Sequence, residues 1–104
     1  MKYIITENRL IGIIHKFLNE RYGNLTPIRP EGTREGYYQF LDSDNNLIMD
    51  GILNREFLAD YRIAEVMKDM FDLDNETLEQ LFLKWVEKRY GMNFGHYVIW
   101  DELY

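Results

Sequence analysis

Two stretches of the chain share one helical design and one ending, and they fix where the main packing elements must lie. Residues 6–23 read TENRLIGIIHKFLNERYG and residues 74–91 read DNETLEQLFLKWVEKRYG. Leu10/Leu78, Lys16/Lys84, Arg21/Arg89, Tyr22/Tyr90 and Gly23/Gly91 are identical across the pair. Ile13/Leu81, Ile14/Phe82, Phe17/Trp85 and Leu18/Val86 keep their apolar character. Apolar residues at this spacing place one greasy stripe along a helix, which must be buried against something. An ancient duplication gives such a pattern, and so does convergence, because the same physics selects Leu, Lys, Arg and a terminal Gly. Duplication implies a pseudo-twofold core with the two helices side by side.

The remaining elements follow from caps and breaks. Lys2–Ile5 is short, apolar and β-prone, a candidate first strand. Thr6 is a suitable N-cap, and Ile5 with Leu10 occupies the positions of a hydrophobic staple. The first helix then presents Leu10, Ile13, Ile14, Phe17 and Leu18, with Gly23 as the expected left-handed stop. Residues 24–36 hold both prolines and two glycines and read as a long polar loop. Tyr37–Leu41 and Leu47–Met49 flank an Asx-rich break and predict a hairpin. Asp50-Gly51 predicts an interruption, as a bulge or as a second turn into Ile52–Ala59, where Asn54 could equally cap an early helix. Asp60 predicts the cap of a second helix over about residues 60–71, with Ile63, Ala64, Val66, Met67, Met70 and Phe71 on its apolar arc. Leu73-Asp74 restarts the chain with the same staple and cap, and Leu78, Leu81, Phe82, Trp85 and Val86 line the third helix. His96–Trp100 is the expected last strand.

This order predicts a single α+β domain over residues 1–104, a small mostly antiparallel sheet with three amphipathic helices packed on one face. With 104 residues, 46% of them hydrophobic, the chain can bury a core without metal or disulfide support. The absence of cysteine removes a disulfide framework, a thiolate nucleophile and thiolate zinc sites together. No apolar run approaches the roughly 18 residues of a membrane span, and MKYIITENRL lacks the core of a signal peptide, so a soluble intracellular protein is expected. The formal net charge of −6 disfavours direct binding to a phosphate backbone. It leaves open an acidic decoy that occupies a nucleic-acid-binding enzyme.

Constellations that could carry chemistry are few. Asp42, Asp44 and Asn46 open like a calcium loop, but Leu47 stands where glycine is needed and Leu53 where a bidentate glutamate belongs. A solvated hairpin turn explains them. Asp72, Asp74, Glu76 and Glu79 crowd the start of the third helix, where the dipole favours negative charge. His15 and His96 have no partner at metal-ligand spacing. The single serine, Ser43, lies in a turn without a nucleophile-elbow context. The glycines form neither a P-loop nor a dinucleotide fingerprint. Arg21 and Arg89 fall mid-stripe, four residues after Phe17 and Trp85. Each stem can cover its ring while the guanidinium reaches water, or the two arginines can grip a carboxylate or phosphate. The tail Trp100-Asp101-Glu102-Leu103-Tyr104 is the candidate partner-binding segment, because Trp and Tyr are typical hot-spot residues. Burial of Trp100 and Leu103 would make it the last strand and its cover.

The opening MKYIITENRL and the segment MFDLDNETLEQLFLKWVEKRYG, with Met70, Phe71, Leu73, Trp85, Glu87 and Tyr90, resemble short uncharacterised proteins of tailed bacteriophages, especially marine ones. The resemblance covers the two ends better than the middle and brings no catalytic residues with it. It implies a minor virion component or a small early protein acting on a host machine, hence the infected cytoplasm or the virion. The expectation is a non-catalytic protein-interaction module, self-associating or docked on a larger protein, with no cofactor, no metal and no membrane contact. The alternative is an acidic inhibitor of a host nucleic-acid enzyme.

Overall fold

The computed structural model describes residues 7–95 and 97–103. The expected strand Lys2–Ile5, the cap Thr6 and the Ile5 half of the staple lie outside the described residues. The chain runs α1 (Glu7–Tyr22), β1 (Thr26–Ile28), β2 (Tyr37–Leu41), β3 (Leu47–Ile52), β4 (Glu56–Asp60), α2 (Tyr61–Phe71), α3 (Asn75–Tyr90) and β5 (Ile99–Asp101). The five strands form one sheet in sequence order; β1 to β4 pair antiparallel, and β5 joins β4 in parallel. The α+β class, the mostly antiparallel sheet and the three helices agree with the sequence reading.

The caps act as their chemistry predicts. Asp60 Oδ1 accepts the Arg62 N–H at 3.0 Å to open α2, and Asp74 Oδ1 accepts the Thr77 N–H at 2.7 Å to open α3. That last bond holds the Asp74 carboxyl below the usual carboxylate range. Gly91 closes α3 in the left-handed conformation at φ 70°. Gly23 corrects the expectation made for it: it is absent from the positive-φ glycines. Its requirement is spatial instead, since a Cβ there would strike the Asn19 carbonyl. The two similar helix ends thus stop by different means.

Three further corrections concern the middle of the chain. The loop over residues 24–36 contributes an edge strand, because Thr26–Ile28 finds hydrogen-bonding partners along Gln39–Leu41. The interruption expected at Asp50-Gly51 is absent: β3 continues through both to Ile52. The irregularity lies earlier, where Leu41 pairs with Leu47 and Phe40 with Met49. Ile48 is therefore the extra residue, and it is buried together with Met49. Asn54 caps no helix but sits at φ 61° in the turn between β3 and β4. The last strand starts at Ile99; His96 lies outside the described residues.

The core lies between the sheet and the helices. Inward residues Phe40, Met49, Phe57 and Ala59 meet Ile14 and Leu18 of α1, Ile63, Ala64 and Met67 of α2, and the full predicted stripe of α3. Two residues placed on apolar arcs face outward: Ile13 is 41% exposed and Met70 56%. Helices α1 and α2 bury a narrower stripe than their sequences offer, because α3 takes the central place against the sheet. Phe94, in the segment after α3, stacks on Phe57 with ring centroids 4.6 Å apart. Gly51 makes room for that stack.

Helices α1 and α3 do lie side by side, joined at their C-terminal ends. The Trp85 indole N–H donates to Asn19 Oδ1 at 2.8 Å, Arg89 Nε to the Gly23 carbonyl at 2.8 Å, and the Tyr90 hydroxyl to the Tyr22 carbonyl. The Leu25 N–H in turn donates to the Tyr90 oxygen at 3.1 Å. The arginines differ: Arg21, the counterpart of Arg89, lies over the Phe17 ring at 5.1 Å.

Candidate functional site

The sheet has two unlike faces. Its pairing register aligns Ile28, Gln39, Asp50, Leu58 and Ile99 in one row across all five strands. Tyr37, Ile52 and Glu56 form a second row beside it, and Leu41 with Leu47 a third. Side chains alternate along a strand, so these rows point away from the side where Phe40, Met49, Phe57 and Ala59 meet the helices. Ile28, Leu41, Leu47, Ile52 and Leu58 are half-buried, yet none belongs to the core or packs against it. Ile99 is 39% exposed, and nearby Tyr97 50%. Among the described residues, no helix covers this face.

A polar cluster sits in the middle of the open face. The Tyr37 hydroxyl donates to Asp50 Oδ2 at 2.7 Å, and Gln39 Nε2 donates to the Tyr37 oxygen at 3.1 Å. Partial burial pushes the Asp50 carboxyl above its ordinary range, with the Tyr37 bond opposing and Glu56 reinforcing the shift. Burial, followed by the bond to Asp50, raises the Tyr37 hydroxyl as well. Sequence reasoning passed over this cluster by treating Asp50 as a break. The available signal was a lone acid inside an apolar strand; the pairing sets it directly opposite Gln39 and two residues from Ile52, the partner of Tyr37.

The residues singled out from sequence fall elsewhere. Asp42 is a turn organiser: its Oδ1 accepts the N–H groups of Asp44 and Asn46 at 2.9 Å each, and Asn46 Nδ2 donates to its Oδ2 at 3.2 Å. These bonds, the Asn46 N–H first, hold its pKa down. Ser43 is exposed in the same turn. Asp72 takes the left-handed C-cap of α2, its N–H bonded to the Lys68 carbonyl at 3.0 Å, while Glu76 lies in the first turn of α3. Among the described residues, no group of three or more His, Asp or Glu could hold a metal ion. Among them too, no helix is long and apolar enough to cross a membrane.

No protein-family model, curated protein or solved structure matches this chain.

The tail runs along the sheet edge. Trp100 pairs with Ala59 on the helix side and packs on Phe82 with ring centroids 5.3 Å apart, half-buried, its indole N–H without an acceptor. Leu103 is also half-buried, and its N–H reaches Asp60 Oδ2 at 3.3 Å. Asp60 is the one buried acidic side chain among the described residues, 1% exposed, and it also holds Arg62 Nε at 3.2 Å. One carboxylate thereby fixes the start of α2 and the path of the tail. Asp101 and Glu102 are exposed; Tyr104 lies outside the described residues.

His15 lies opposite α3, in a groove of about 190 Å³ lined with Asn19, Trp85, Lys88 and Arg89. Desolvation, and then the Lys88 charge, lower its pKa from the ordinary histidine value. A folded-state value below the unfolded one means that the stability conferred by neutral His15 is complete above about pH 6.5. It is lost as pH falls from there through the folded-state value. His15→Gln is expected to remove that part of the decline, read as the difference in urea midpoint between about pH 7.5 and pH 5. Lys88→Gln is expected to move the imidazole titration, followed by NMR, back toward the ordinary value. An unchanged titration would show that the Lys88 charge does not act on the ring.

Proposed function

We propose that this protein is a small non-catalytic interaction module that docks through the open face of its sheet, with a second copy of itself as the first partner. The observation that carries the reading is the set of half-buried aliphatic residues outside the core, Ile28, Leu41, Leu47, Ile52 and Leu58, continued by exposed Ile99. Partly exposed aliphatic residues gathered on one face, here around a polar centre, make a surface that association stabilises. The central row is apolar at both ends and polar in the middle, with Gln39 donors beside Asp50 acceptors. A twofold axis between Gln39 and Asp50 would set Gln39 of each copy against Asp50 of the other and Ile28 against Leu58, as an isologous contact requires. The edge strands β1 and β5 have three residues each, too short to make edge-to-edge pairing the favoured route.

The tail contributes to the same surface in this reading. Tyr97 and Ile99 extend the apolar patch, and Asp101 and Glu102 supply its charged rim, while Trp100 faces the helices and takes no part. The likeness of the chain's ends to short proteins of tailed phages supports a structural or accessory role of phage type, in the infected cytoplasm or the virion.

Light-scattering mass over a concentration series tests the proposal. The unaltered chain is expected to give a dimer and Leu58→Lys a monomer with unchanged circular dichroism, since Leu58 lies outside the core. A monomer for both at every concentration, or a dimer that Leu58→Lys leaves intact, would overturn it.

A further inference from the structure

We propose that the groove between α1 and α3 is a binding site for the phosphate group of a small molecule, inorganic phosphate or a small phosphomonoester, held by His15, Asn19, Lys88 and Arg89. The site stands on the helix side of the molecule and does not depend on the sheet-face reading. It is an exception to the chain's charge: in a protein of net charge −6, two cations and, among the described residues, no carboxylate line the groove.

Neighbouring contacts orient the lining groups. The Asn19 side-chain oxygen is taken by the Trp85 N–H at 2.8 Å, leaving the amide nitrogen as the group with donors to offer. Arg89 spends Nε on the Gly23 carbonyl at 2.8 Å, which anchors the guanidinium and leaves its two terminal nitrogens. His15 Nε2 is a buried nitrogen with no hydrogen-bond partner. An unsatisfied buried polar atom costs on the order of 1–3 kcal/mol, so its retention calls for a partner. Lys88 makes no ion pair among the described residues and sits close enough to His15 to lower its pKa. Lys88 and Arg89 line one groove without a counter-ion among the described residues, and an anion between them relieves their mutual repulsion.

Free carbonyls at a helix C-terminus carry partial negative charge and oppose an anion. Here the Tyr22 and Gly23 carbonyls are already occupied by the Tyr90 hydroxyl and Arg89 Nε. The lining chemistry distinguishes phosphate from carboxylate. Lys88 and Arg89 together carry two positive charges, which match a phosphate monoester of about −1.5 to −2 at neutral pH. A carboxylate would leave one charge unmatched. A nucleotide base finds no stacking platform, because the Trp85 ring is 1% exposed.

The test is a titration of the full chain with sodium phosphate, followed by imidazole NMR, with the His15 signal assigned through His15→Gln. Chloride and acetate at equal ionic strength serve as comparisons, and a nucleoside monophosphate reports any contribution from a base. The expected result is a saturable shift of His15 with phosphate, at least tenfold weaker with acetate and absent with chloride. Lys88→Gln, an exposed position that leaves the fold intact, is expected to weaken phosphate at least tenfold. The nucleotide is expected to bind within a few-fold of inorganic phosphate. Equal response to chloride or acetate, no effect of Lys88→Gln, or no saturable shift would overturn the site. A nucleotide preference above tenfold would overturn its assignment to small phosphate compounds.

Discussion

Trp85→Ala is expected to destabilise the protein by about 3–5 kcal/mol, the cost of truncating a buried aromatic to a methyl group. Trp85 is 1% exposed and touches the rings of Phe82 at 5.7 Å and Tyr90 at 5.8 Å. Its indole N–H is one of the bonds that join α1 to α3. Domains of this size have roughly 5–15 kcal/mol in all, so the substitution consumes a large share of what holds the chain folded. At about 4–8 °C per kcal/mol, the melting temperature should fall by at least 12 °C or so. Trp85→Phe separates the two contributions. It keeps most of the ring packing and removes the N–H, and Asn19 is exposed enough for water to take its oxygen. Its cost should therefore stay near the 1 kcal/mol of a single net hydrogen bond plus a modest packing loss. A Trp85→Ala protein that melts within a few degrees of the unaltered chain would show that α3 is not the central packing element.

That centrality was legible in the sequence because α3 obeys its periodicity without exception: Leu78, Leu81, Phe82, Trp85 and Val86 are all buried. The caps at Asp60 and Asp74 were legible for the same kind of reason, since an N-cap is a local contract between one side chain and the N–H two or three residues on. What depended on distant partners was not. Thr26–Ile28 has no strand signature of its own and becomes a strand only because β2 offers it an edge. Gly23 and Gly91 read alike, yet one answers to φ and the other to the space beside Asn19. Periodicity states which residues prefer burial, and α3's place against the sheet decides how much of α1 and α2 is left outside, which is why Ile13 and Met70 face solvent.

The two candidate sites show the same division. The open sheet face could be read only once the register was known, because alternate residues of β2 and β3 carry similar apolar character on both faces. Leu41 and Leu47 look no less core-like than Phe40 and Met49 until pairing assigns them sides. The helix groove draws His15 and Asn19 from one repeat-like stretch, and Lys88 and Arg89 from the other. Singling out Arg21 and Arg89 from sequence captured half of this. Arg89 does face a polar groove, while Arg21 covers Phe17 as a snorkelling side chain would. Only the side-by-side packing of α1 and α3 could reveal which neighbours complete each arginine's surroundings.

Gly51→Ala is expected to cost about 3 kcal/mol, at the upper end of what overpacking a core usually brings. Gly51 lies in β3, paired with Tyr38 on one side and Phe57 on the other, at a φ any residue could adopt. Its restriction is purely one of space. A Cβ there would stand 2.7 Å from Phe57 Cδ1, 2.7 Å from Phe94 Cδ1 and 2.8 Å from the Glu56 carbonyl oxygen. The two rings are fully buried and stacked on each other, so neither can yield without disturbing its neighbours, and the carbonyl belongs to the paired strand. Relief must come from moving Phe94, which sits between α3 and β5, outside any helix or strand, whereas Phe57 is held in the sheet. A double-mutant cycle tests this account. Phe94→Ala alone should destabilise by about 3–5 kcal/mol, but in the Gly51→Ala background it should cost less by about 1 kcal/mol or more, because the clash it relieves is then present. Strict additivity would place the strain at the Glu56 carbonyl instead, and a Gly51→Ala chain as stable as the original would refute the close approach altogether.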